Sequence, residues 1–203
     1  MLQDHLAKKQ LEVIDEKFVE WTAGVSKTDA RINIFNNLLN IPYGINLNIH
    51  DVRNCSRIFD EKMAHCIPKH FILAHMFQKL GLEVKLISIP FNWNSFSEYL
   101  PKQIRKKAEN LPDSLHLACE CKINNRWILV DCSLDSKLKA LGFHINDNWD
   151  GYSNTIPAVV PNQILRHNTV DERLELEKRF SAKNCNKIQF FNLLNRYLAQ
   201  LRL

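Results

Sequence analysis

The stretch CIPKHFILAHMFQKLG, residues 66–81, constrains this chain more than any other. Phe71, Ile72, Leu73, Met76, Phe77 and Leu80 cover most of a helix's circumference, so this helix is expected to be central and buried on nearly every side. Proline is tolerated only in a helix's first turn, where its missing N–H costs nothing. Pro68 therefore places Cys66 at the N-terminal edge of the helix, and Gly81 supplies the turn after its end. Unpaired backbone N–H groups and the positive end of the helix dipole converge on such a cysteine. Both favour thiolate over thiol, and the same N–H groups can donate to an oxyanion formed when sulfur attacks a carbonyl. A lone cysteine is equally a small buried hydrophobe. A nucleophilic one needs a base, and the base needs an orienting partner.

The segments around this helix are of both kinds. Residues 2–21 carry Leu6, Leu11, Ile14 and Phe18 near a helical period. A second helix is predicted over VSKTDARINIFNNLLN, with Ser26 or Thr28 able to cap it and Pro42 stopping it. IPYGINLNIHDVRNCSRIFD reads mostly as loop with short irregular pieces. LEVKLISIPF is a strand running up to Pro90. SFSEYLPKQIRKKAENL is helical with Pro101 breaking or kinking it, DSKLKALGF is a short helix, and 144–162 is a long loop. One or two amphipathic helices follow from about Asp171. Their end, IQFFNLLNRYLAQLRL, either caps the core or pairs with another subunit, so the oligomeric state stays open. Helices at both termini around a helix–strand–hairpin centre define an α+β architecture. With 203 residues, 45% of them hydrophobic, the chain is expected to be one domain with a sizeable core.

SLHLACECKINNRWILVDCSL is the clearest β-hairpin in the sequence. Asn124 and Asn125 suit the central positions of a tight turn, which require positive φ. Ile123 then faces Arg126, and counting outward pairs Ala118 with Asp131 and His116 with Ser133. One face carries Leu117, Cys119, Cys121, Ile128, Val130 and Cys132, a core face. His116 and Asp131 share the other, as diagonal cross-strand neighbours roughly 7–8 Å apart at the backbone, within side-chain reach. A turn one residue longer or shorter would separate them. An aspartate so placed can hold one imidazole nitrogen while the other takes a proton from sulfur, which completes the nucleophile–base–orienter arrangement.

These residues resemble the transglutaminase-like superfamily, whose core is papain-like and α+β. The likeness rests on a cysteine opening a buried helix, with Lys69 three residues later and LG before a strand. It rests equally on a histidine beginning a strand, a turn, and then Trp127 four residues before Asp131. NLLNIPYG is similar to the family's segment before the cysteine. The match spans about residues 28–135, leaving 1–27 and 136–203 as helical elaborations. The resemblance implies Cys66 as nucleophile, His116 as general base and acid, and Asp131 as orienter, in an enzyme that cleaves or exchanges amide bonds of a peptide or protein. Two positions depart from the family's usual residues: Ala64 stands for a glycine and Cys132 for a proline. Tyr43, Asn48 and Asn54 are candidates for a second oxyanion donor.

Hydrolysis is favoured over crosslinking, because nothing announces an amine site or a calcium-binding loop. The alternative is a non-catalytic binding or interaction module that keeps the fold. No cofactor and no metal are expected: C-x-C lies mid-strand among apolar residues, without the paired knuckles of structural zinc sites. His65, His70 and His75 recur every five residues, which scatters them around the helix. The net charge is +5, and its densest basic cluster, Lys102 to Lys107, reads as a solvated helix face. No base-stacking strand motif accompanies it, so no nucleic-acid partner is expected. No apolar run is long enough for a bilayer or an export signal, so no membrane partner is expected. The six cysteines are expected to be reduced thiols in a cytoplasm.

Overall fold

The computed structural model describes residues 2–49, 52–180 and 185–202. Its helices are α1 (Lys8–Thr22), α2 (Lys27–Asn40), the single turn α3 (Ile58–Glu61), α4 (Cys66–Lys79), α5 (Lys102–Ala108), α6 (Val170–Phe180) and α7 (Cys185–Gln200). Its strands are β1 (Val84–Phe91), β2 (Ser114–Ile123), β3 (Arg126–Val130) and β4 (Leu165–His167). The chain is α+β, with helices at both ends and one four-stranded antiparallel sheet in the order β3-β2-β1-β4.

Every residue of α4 from Cys66 to Phe77 is buried, as a helix apolar on all sides requires. It packs on β1 and β2 and against α1, α2 and the 3-10 segment Val52–Arg57. Ser26 caps α2, its hydroxyl oxygen accepting from the Asp29 N–H at 3.1 Å. Asn124 and Asn125 take positive φ, 49° and 60°, the tight turn the hairpin needs. The register follows: Ile123 opposes Arg126, and Cys119 opposes Val130.

Several elements differ from the sequence reading. The segment before Pro101 is a 3-10 helix, Trp93–Tyr99, because proline cannot continue the hydrogen-bond ladder, and only α5 beyond it is α-helical. DSKLKALGF also forms a 3-10 turn, ending at Gly142 with φ 89°. The three residues of β4 carry too little pattern to be read as a strand. β1 runs one residue past Pro90, which is possible because β4 pairs only Leu86 to Ser88 and leaves that edge open further on. Both faces of β2 are buried, including His116, Ala118 and Glu120. Helix α7 caps the core, burying Phe190, Phe191, Leu194 and Leu198.

One buried cation ties these layers together. The Lys69 ammonium, on a residue with no exposed surface, donates to the carbonyls of Leu39 (3.1 Å) and Ile41 (2.6 Å) at the end of α2. It also donates to the carbonyls of Cys132 (3.4 Å) and Ser133 (3.0 Å), just past β3. Burial pulls its pKa down to about 8, against the pull of Cys132, Asp135 and Asp131, so it stays protonated at neutral pH. Lys69→Met removes the donor and strands carbonyls from two elements, which is expected to destabilise the fold by roughly 2–5 kcal/mol. Urea unfolding measures this; a loss below about 1 kcal/mol would show that the ammonium bears little of the packing.

Candidate active site

Cys66 is the first residue of α4 and 8% exposed. The preceding segment is fixed by its backbone: Ala64 N–H donates to the Pro42 carbonyl (2.9 Å) and its carbonyl accepts from Gly44 N–H (3.1 Å). Tyr43 and Ala64 thus form a parallel bridge that sets Tyr43 beside the start of the helix. The N–H of Cys66 has no partner within its own helix, because the first turn lacks a preceding carbonyl.

The histidine and aspartate meet as the hairpin register predicts. His116 Nε2 lies 2.7 Å from Asp131 Oδ2. Cys66 lies near enough to the same imidazole to act on its charge, and both line one cavity. With Nε2 turned to the carboxylate, Nδ1 is the nitrogen left for sulfur. Cys66, His116 and Asp131 are therefore brought together, the last two joined by a hydrogen bond. Burial opposes charge on His116, but the Asp131 carboxylate and the Cys66 sulfur outweigh it and raise the pKa to about 10. Asp131 is 2% exposed, and burial works against its charge too; the charge and hydrogen bond of His116 nevertheless hold its carboxyl well below the usual range.

Asp131 is also anchored by groups that the hairpin alone does not reveal. Oδ2 accepts from Ala158 N–H (2.8 Å), and Oδ1 from Ser133 N–H (3.0 Å). Its backbone N–H donates to Thr155 Oγ1 (2.8 Å), and its carbonyl accepts from Asn146 Nδ2 (3.1 Å). The long loop read over 144–162 thus wraps the aspartate.

His70, one turn after Cys66, was placed in the sequence reading on no shared face. The structure puts it behind the aspartate. Its Nδ1–H donates to the Cys66 carbonyl at 2.8 Å, and Nε2 accepts from Cys132 N–H at 3.2 Å. These partners fix one neutral tautomer, so the 3.5 Å approach of Nε2 to Asp131 Oδ1 is not an ion pair. Burial lowers the His70 pKa to about 4 despite Asp131. A proline at 132, as the resemblance predicts, would have no N–H to give; Cys132 supplies it. The i, i+4 spacing from Cys66 to His70 was the available signal.

An apolar cavity of about 220 Å³ opens on the thiol. Tyr43, Ile45, Phe91, Trp93, Leu134 and Phe191 are among its walls, and Cys66, His116 and Ser133 lie at its polar edge. Burial, then the charges of Cys66 and Asp131, keep the Tyr43 hydroxyl protonated far above its ordinary pKa. Asn48 and Asn54 do not line the cavity. Trp127 is exposed at the hairpin, with the Lys85 ammonium 4.4 Å from its ring centre. Cys119, Cys121 and Cys132 are buried thiols whose pKa values burial raises, that of Cys132 to about 12. The side chain of Cys185 lies outside the described residues. Among the described residues no cluster of three His, Cys, Asp or Glu could hold a metal, and no helix is long and apolar enough to cross a membrane.

No family model matches the chain, and no curated protein does. Among solved structures, it is similar to one of Cytophaga hutchinsonii described as "a Putative Cysteine Protease", at 11% identity and a TM-score of 0.41. The match covers 62% of this chain and 42% of the other, so this chain spans less than half of that neighbour.

Two outcomes are expected. In histidine-selective NMR between pH 5 and 8, His116 should remain an imidazolium and His70 a neutral Nδ1–H tautomer; titration of both near 6.5 would contradict the geometry. The same shifts act on stability with opposite sign. The His70 pKa falls from 6.5 to about 4, so its contribution is lost as pH drops from 6.5 towards 4. The His116 pKa rises from 6.5 to about 10, so its contribution is full below 6.5 and lost as pH climbs towards 10. Urea midpoints across this range should decline on both sides, and His70→Gln should flatten the acid side.

Proposed function

We propose that this chain is a thiol hydrolase of transglutaminase-like type that cleaves amide bonds in a peptide or protein through a thioester on Cys66. The observation that carries the reading is the His116–Asp131 hydrogen bond at a largely apolar cavity that Cys66 and His116 both line. No metal or cofactor enters the mechanism.

The Cys66 thiolate attacks the carbonyl carbon, and the carbonyl π electrons move to oxygen. That oxyanion is met by the Cys66 N–H at the head of α4 and by the Tyr43 hydroxyl, which stands at the cavity wall and stays protonated. The intermediate collapses, the C–N bond breaks, and His116 gives its Nδ1 proton to the leaving amine. Neutral His116 then takes a proton from water, whose oxygen attacks the thioester. Collapse of this second intermediate frees the acid and returns the thiolate–imidazolium pair. Asp131 stays ionised throughout and holds Nε2–H.

Competitive alkylation tests the reading. Iodoacetamide at neutral pH should label Cys66 at least about a hundredfold faster than Cys119, Cys121 or Cys132, whose thiolates burial disfavours. His116→Ala should slow labelling of Cys66 by about tenfold or more. Equal sluggishness at all these thiols would favour the non-catalytic module.

A further inference from the structure

The cavity beside Cys66 reaches a second polar group that the hydrolytic mechanism does not use. Arg173, on α6, is fully buried and lines the cavity. Its Nη1 donates to Glu177 Oε2 at 3.0 Å. Its Nε and Nη2 are buried and have no hydrogen-bond partner among the described residues. Those two nitrogens form the side-on edge of a guanidinium, which fits the two oxygens of a carboxylate. The chain itself shows the fit: Arg166 Nε and Nη2 hold Glu120 Oε2 and Oε1 at 2.8 and 2.7 Å. On Arg173 the same edge has no partner among the described residues. Buried donors are nearly always satisfied, and an exception asks for an explanation.

The surroundings narrow the occupant. The cavity walls are mainly aromatic and aliphatic, among them Trp93, Phe96, Phe180 and Ile188. Glu177 also lines the cavity and balances Arg173, but Lys187 lines it too, so the formal charge at this end is positive by one. The volume, about 220 Å³, is below the roughly 300–1,000 Å³ of pockets for drug-sized ligands, so the occupant is a side chain or a short acyl group. Ser133 also lines the cavity, and its N–H donates to Asp131 Oδ1 at the reacting end.

We propose that this cavity is an acyl pocket that selects an apolar chain ending in a carboxylate, the carboxylate being received by the free Nε–Nη2 edge of Arg173. The inference rests on the thiol-hydrolase reading for which end of the substrate reacts. Arg173 touches the substrate without taking part in bond-making; it sets which acyl group is accepted.

The test compares 4-nitroanilides of straight-chain diacids of four to eight carbons, each bearing one free carboxylate, with those of the neutral monoacids of equal length. In the wild-type chain one diacid length should exceed its neutral counterpart in kcat/KM by about a hundredfold, since unpaired buried donors reject the ligand that lacks the acceptor. Arg173→Met should erase that preference. Cys66-dependent turnover with a ratio under about threefold, or a preference that survives Arg173→Met, overturns the pocket and leaves the hydrolase standing. If no anilide is turned over, calorimetry on Cys66→Ala decides separately, with the mono-N-methylamides of the same acids as probes. Binding that requires both the carboxylate and Arg173 keeps the pocket and removes the hydrolase, whereas no binding removes both. The wild-type ratio needs no variant, so a variant that fails to fold leaves the test intact.

Discussion

The Lys69 ammonium is the interaction on which the arrangement of the site depends. It belongs to α4, three residues after Cys66, and it grips carbonyls just beyond Asp131 while holding the end of α2. The thiol and the carboxylate come from elements far apart in the chain, and nothing in either element's local preferences fixes their separation. A cation with several acceptors, in surroundings that exclude water, does fix it, because each carbonyl it leaves would be buried without a partner. Arg202 adds a second tether. Its Nη2 donates to Asp135 Oδ2 (2.5 Å) and to the Tyr43 carbonyl (2.9 Å), so α7 holds both the segment after β3 and the cavity wall beside Cys66. Asn195 extends this by pairing with both the N–H and the carbonyl of Ile45.

One burial environment treats two histidines in opposite ways. His70 and His116 are both buried, with rings 6.2 Å apart, and both lie near Asp131. His116 points an N–H at the carboxylate and has the sulfur beside it, so its proton is held. His70 spends its N–H on the Cys66 carbonyl and offers a lone pair to a backbone donor, so a second proton would have no acceptor. The result is a single charged imidazole next to the thiol, backed by a neutral one that locks the first turn of α4 to the segment bearing Asp131.

The sequence was most informative where local rules act alone. The all-apolar helix, the Pro68 and Gly81 boundaries and the Asn124–Asn125 turn are each set by a few neighbouring residues, and from them the proximity of His116 and Asp131 could be counted. Ala158 N–H and Thr155 Oγ1 were illegible because a loop's path over a distant strand leaves no periodicity. Arg173 was hidden for a different reason. In VDERLELEKRF it reads as one charge on a polar helix, and only the packing of α6 against β1, β2 and β4 turns it inward. His70 lay between these cases, since its spacing was visible and its partner, the Cys132 N–H, was not.

The tether from Arg202 sets an order of events during synthesis. Cys66, His116 and Asp131 all leave the ribosome before α7 does; Tyr43 N–H can by then bond Asp135 Oδ2, and Arg202 later adds its own bonds to that carboxylate and to the Tyr43 carbonyl. A nascent chain that has not reached this arginine carries these three residues with the wall beside the sulfur held by Ala64 and Asp135 alone. The arginine therefore reinforces a wall whose first bonds can already have formed.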